Sequence, residues 1–277
     1  MRAAAVLAGA VLAVLAGSAP ARAVDEGVPD GLRHPGVGVL AADPDGAGPG
    51  APFLLCSGFV VADDVFLTAA HCIGAMPEGT AWSVTLEPGS PAAPVATPGL
   101  FPEGFPFSML RPTEPALQVV VHPRHGRGEE RANDLAVLRM APGTFAGVPP
   151  VRLPERRQLD RLARRGELHG TSFRLVGYGT DPEWGDGEPV FVLEGYRQTA
   201  TAPFAALGRR WLWLDGDARR TGRGSLCFGD SGSPQLLGDT AVSLLTSHEP
   251  MCRGAIRAQR LDTPAARRFL DDHVALP

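Results

Sequence analysis

The sequence predicts an all-β protein. Gly and Pro clusters, drawn from 34 Gly and 27 Pro, break the chain about every ten residues. Runs rich in β-branched and aromatic residues lie between the clusters, and only two segments have helical spacing. The strand candidates, in order, are Phe53–Val61, Val65–Thr68, Ala116–Val121, Leu135–Arg139, Phe173–Tyr178, Val190–Thr201, Trp211–Leu214, Pro234–Leu237 and Ala241–Ser247. Stretches 41–52 and 87–108 are too broken by Gly and Pro to be elements and are expected as exposed loops. Pro142, Pro149, Pro150 and Pro154 mark a linker between two halves. The first helix is expected over 155–166, where Leu159, Leu162 and Ala163 recur at helical spacing among five Arg, with Gly166 as the stop. The second opens with Asp262 or Thr263 as cap and Pro264 in its first turn, buries Phe269 and Leu270 and runs to about Val274.

Composition narrows the class. Of 277 residues, 44% are hydrophobic and 20% charged, enough to build a core and unlike a disordered chain. The formal charge of -4 has the wrong sign for a general nucleic-acid binder. All 26 basic residues are Arg, which fits a coding bias alongside abundant Ala, Gly and Pro and carries no mechanism. No internal repeat is visible, which excludes solenoids.

Residues 1–23 read as an export signal: Arg2, the apolar run Ala3 to Ala16, then Ala21-Arg22-Ala23. The run is shorter than the ~20 apolar residues of a spanning helix, so secretion without a membrane anchor is expected. Cleavage after Ala23 removes Arg2 and Arg22, leaves 24 Arg against 30 acidic residues, and makes Val24 the first residue. In an exported chain the four Cys are expected to be oxidised, with three pairings open.

Three segments carry chemistry: Leu67-Thr68-Ala69-Ala70-His71-Cys72, Asn133-Asp134-Leu135-Ala136-Val137-Leu138, and Phe228-Gly229-Asp230-Ser231-Gly232-Ser233-Pro234. A Ser hydroxyl attacks an amide at neutral pH only if a neighbouring base takes its proton, and an imidazole, ordinarily titrating near ~6.5, suits that role. Singly each segment is ordinary, as a lone His, an Asn-Asp turn or a Gly-rich loop. Together, in the order His, Asp, Ser, the sequence resembles the trypsin/chymotrypsin-like serine proteases of the secreted bacterial type, over nearly all of the chain after the signal.

The resemblance implies two antiparallel six-stranded β-barrels at 24–145 and 155–277, a linker at 146–154, and a terminal helix across the second barrel. His71 is then the general base, Asp134 its orienting acid and Ser231 the nucleophile, with the N–H groups of Gly229 and Ser231 as the oxyanion hole. Disulfides Cys56–Cys72 and Cys227–Cys252 would close loops of about 16 and about 25 residues, each contributing roughly 3 kcal/mol. Asp230 would pair with the α-amino group of Val24, freed by signal cleavage itself. Ser225 would form the pocket floor, with Ser247 and Glu249 along the substrate strand and Ile256 or Arg257 filling part of the pocket. A neutral floor implies a small or medium neutral residue before the scissile bond. Ser233 and Glu249 depart from the family pattern and keep a second reading open, a catalytically weak homologue that binds. Polypeptide substrates and protein inhibitors are the expected partners of a monomer, with no nucleic acid, membrane, cofactor or metal. The acidic turn Asp181, Glu183, Asp186 and Glu188 reads as solvated rather than calcium-binding, and His122 and His125 as loop residues.

Overall fold

The computed structural model describes residues 27–44, 53–89, 95–97, 114–128, 131–183, 190–193 and 195–277. Segment 1–23, Val24, Asp186 and Glu188 lie outside these residues. In the first half the strands are β1 (Val28–Pro29), β2 (Val37–Asp43), β3 (Phe53–Ala62), β4 (Val65–Thr68), β5 (Ala81–Thr85), β6 (Val95–Thr97), β7 (Glu114–Pro115), β8 (Gln118–Val121) and β9 (Ala136–Arg139). The second half has β10 (Ser172–Gly177), β11 (Thr180–Glu183), β12 (Val190–Leu193), β13 (Gln198–Leu207), β14 (Trp211–Asp215), β15 (Pro234–Leu237), β16 (Thr240–His248) and β17 (Ala255–Arg260). The helices are short: α1 (Ala70–Gly74), α2 (Gln158–Arg164), α3 (Ala218–Thr221) and α4 (Pro264–Asp271).

The fold is all-β with two barrel-like bodies, as expected. In the second half β13-β10-β15-β16-β17-β14 pair in that order, and β14 returns to β13, closing an antiparallel barrel of six strands. Phe173, Leu175, Leu212, Leu214, Leu245 and Ile256 fill it. The first half is a curled, open sheet of seven strands in the order β7-β5-β2-β3-β4-β9-β8. β4 lies inside it between β3 and β9 with all four residues buried, so its Val65-Phe66-Leu67 run is apolar without alternation. β6 belongs instead to a small third sheet with β12 and β11. The linker is stitched to both halves: Val151 N–H donates to the Val60 carbonyl, and Ala241 N–H to the Arg152 carbonyl.

α2 is shorter than the spacing suggested, because Arg157 has φ +56° and cannot belong to a right-handed helix. The free N–H of Leu159 is instead satisfied by the Asp262 carboxylate at 2.8 Å. Asp262 therefore caps α2, and α4 is capped by Thr263, whose hydroxyl accepts the Ala266 N–H at 3.2 Å.

The chain ends correct one expectation. α4 packs on the first sheet, not across the second barrel: Ala266, Phe269 and Leu270 join the cluster of Val137 and Leu138, and Phe269 meets the His122 ring at 5.0 Å. His122, a loop residue directly after β8 as expected, is buried in that interface. At the other end β1 pairs with β13 of the second barrel. There Asp30 and Arg197, both fully buried, form an ion pair at 2.9 Å, and His34 lies 2.6 Å from the same carboxylate. Burial alone would raise the Asp30 carboxyl, but the hydrogen bonds from His34 and Arg197 outweigh it and hold it below the usual range. Among the described residues no helix is long and apolar enough to cross a membrane.

Candidate active site

Strand register brings the first two candidates together. β4 and β9 pair antiparallel with Thr68 opposite Ala136, so the residues after Thr68 and those before Ala136 emerge at one edge of the sheet. His71 lies there in α1, and Asp134 lies two residues ahead of β9. The fully buried Asp134 carboxylate accepts the His71 backbone N–H at 2.8 Å through Oδ1, and its Oδ2 is 2.7 Å from His71 Nδ1. These two contacts fix both the ring plane and which nitrogen faces the cleft. The Cys56–Cys72 disulfide ties β3 to α1 beside the ring. Cys56, His71 and Cys72 lie within 4.8 Å of one another, but both sulfurs are consumed by the disulfide and offer no thiolate. Asn133 and Arg131 both have positive φ, +56° and +54°, in the tight turn that delivers Asp134. Asn tolerates this region, whereas Arg131 holds it at some strain.

Ser231 stands in a turn between Cys227 and β15. Gly229 at φ +93° and Gly232 at φ +84° make that turn possible, and a Cβ at Gly232 would meet the Ser57 carbonyl at 2.4 Å. The turn is pinned to the first sheet: Ser57 N–H donates to the Ser231 carbonyl at 2.9 Å, and Ser57 Oγ donates to the Gly229 carbonyl at 3.0 Å. The same Oγ accepts the Tyr178 N–H at 3.2 Å. Among the described residues neither Gly229 N–H nor Ser231 N–H has an acceptor. Asp230 is fully buried and accepts N–H bonds from Gly179 at 2.8 Å and Cys227 at 2.9 Å. Burial pushes its carboxyl up to about 7 against those donors. No cation faces it among the described residues, and Val24 lies outside them. Ser233 is also buried, its N–H bonded to the Asp230 carbonyl and its Oγ without a partner.

His71, Gly229 and Ser231 line one cleft of about 910 Å³ with Ser247, His248 and Glu249. Among the described residues no hydrogen bond joins Ser231 Oγ to the His71 ring. In unliganded sites of this chemistry that contact is commonly long and tightens around substrate. Ser225 is not brought to the cleft: it is 1% exposed, buried against Gly216. Ile256 is fully buried, and His248 stacks edge-on to Phe228 at 4.8 Å beside the Cys227–Cys252 disulfide. Burial holds the His248 imidazole below its usual range. Glu249 does not project as a free charge, because its Oε2 accepts the N–H groups of Met251 and Arg253.

The structure adds residues that the sequence did not single out. Ser57 couples the turn to the first sheet, and His125 places Nδ1 3.7 Å from Asp134 on the side away from His71. Arg131, Trp213 and Arg257 also line the cleft. Of these, Arg257 was already expected from the sequence to fill part of the pocket. A scan against protein-family models and a search of the curated proteins found no match for the chain.

Proposed function

We propose that the chain is a secreted serine endopeptidase of the trypsin/chymotrypsin-like kind. The observation that carries this reading is the paired contact of His71 with the buried Asp134, facing Ser231 and two acceptor-free amides across one cleft. Asp134 holds the Nδ1 proton, leaving Nε2 to take the Ser231 proton as Oγ attacks a peptide carbonyl. The resulting oxyanion is received by the N–H groups of Gly229 and Ser231, already oriented by Ser57 and Gly232. His71 then returns the proton to the leaving amine, and water releases the acyl group by the same steps in reverse. The two disulfides support an oxidising compartment, and so export. The buried Asp230, with amide donors but no cation among the described residues, supports a role for the Val24 α-amino group as its partner.

The absent hydrogen bond between Ser231 and His71 favours a second reading, in which the scaffold binds without turnover. A fluorophosphonate probe separates the two. The peptidase is expected to label at Ser231, with labelling lost in Ser231→Ala. Folded wild-type protein that takes no label overturns it in favour of binding.

A further inference from the structure

Two guanidinium groups grip neighbouring residues of β16 where it borders the cleft. Arg131 Nη1 donates to the Thr246 carbonyl at 2.9 Å, and Arg257 Nε donates to Ser247 Oγ at 3.0 Å. Arg257 is held further by Trp211, whose ring centroid lies 4.9 Å from its Cζ. Both arginines line the cleft that holds His71 and Ser231.

Their place in the cleft sets them apart, since Arg139 likewise bonds only neutral acceptors but lies elsewhere. Arg161, Arg165, Arg197, Arg220 and Arg260 each pair with a carboxylate. Among the described residues Arg131 and Arg257 pair with none. Glu249, on the same cleft wall, is committed to the Met251 and Arg253 amides, and Asp134 is committed to His71. A guanidinium carries five N–H donors, and each of these two spends one on a neutral oxygen. Both are half-buried. Such a cation has lost part of its hydration without gaining a counter-charge, and a ligand carboxylate restores it. The chain as a whole is acidic, and these two cations are placed in the cleft.

We infer that the cleft takes acidic peptides, with a glutamate or aspartate side chain close to the scissile bond received by Arg131 and Arg257. The inference rests on the peptidase reading for the bond that is cut, but recognition itself needs no turnover. It replaces the neutral preference expected from Ser225, whose side chain lies outside the cleft.

The test uses the full chain carrying Ser231→Ala, and peptide pairs that differ only by Glu or Gln, scanned through each position around the cleavage point. Fluorescence anisotropy is expected to show Glu binding tighter by about tenfold or more at one position, the worth of a charge-assisted hydrogen bond. In the Arg131→Gln, Arg257→Gln double variant the ratio is expected to collapse, and in Arg131→Lys, Arg257→Lys to be partly kept. The expected variant keeps its affinity for the Gln peptide and loses only the Glu advantage, whereas a misfolded one loses both, so the Gln peptide controls for the fold. Equal binding of Glu and Gln peptides, or a Glu preference that survives in the double Gln variant, overturns the inference. Expected binding ratios with no cleavage by wild type would leave the acidic cleft standing and sink the peptidase reading. Cleavage without a Glu preference would do the opposite.

Discussion

The Ser57 hydroxyl joins two peptide groups from different parts of the chain, accepting from Tyr178 N–H and donating to the Gly229 carbonyl. Removing it loosens the turn that, in the proposed reaction, would present the Gly229 and Ser231 N–H groups to the developing oxyanion. Ser57→Ala is therefore expected to lower kcat, by less than the ~10²-fold or more that follows loss of a donor itself, while KM stays near wild type. A matched rise in KM would mark Ser57 as structural only. Asp230 makes a pH prediction at the same scale. Its carboxyl sits near 7 in the fold, above the ordinary value of 3.8, so the fold favours the protonated form. That contribution is complete below about pH 4 and is lost as pH rises through about 7. A form in which Val24 is blocked by one added residue should lose several degrees in Tm across that window. The form beginning at Val24 should not, and Asp230→Asn should flatten the blocked form. Parallel curves for the blocked and free forms would exclude the proposed pairing.

At the scale of elements, what the sequence could reveal depended on whether the signal was local. The short apolar strand β4 and the cap of α4 were legible because Val65–Thr68 lies between turn residues, and Thr263-Pro264 is a start signal in itself. β2 was missed: Val37-Gly38-Val39-Leu40-Ala41-Ala42 is buried throughout, so it lacks alternation, and Gly and Ala dilute its β character. The docking of α4 was misread for another reason. An amphipathic helix declares which face is apolar, not which surface receives it. Phe269→Ala is expected to cost about 3 kcal/mol, as for other buried Phe truncations, measured by denaturant unfolding. A loss below about 1 kcal/mol, the range of surface substitutions, would mean the helix is not held by the first sheet.

For the whole molecule, the three chemical segments were legible together because each keeps its own context: small residues before His71, an apolar strand after Asp134, glycines around Ser231. Ser247, Glu249 and Arg257 were legible with them through their place on the strands beside the pocket. Arg131 was not: it is one of 26 arginines, and only the fold brings it to the cleft. Position relative to Ser231 pointed to Ser225, which lies buried outside the residues that line the cleft.

The first described strand, β1, pairs onto β13 of the second barrel, while α4 covers the first sheet. Synthesis delivers residues in order, so the sheet that carries His71 and Asp134 has a bare apolar face until the last helix emerges. His71 and Asp134 are thus backed by a complete core only once α4 has been made. A chain truncated before α4 would hold the candidate residues on a sheet whose apolar face is uncovered.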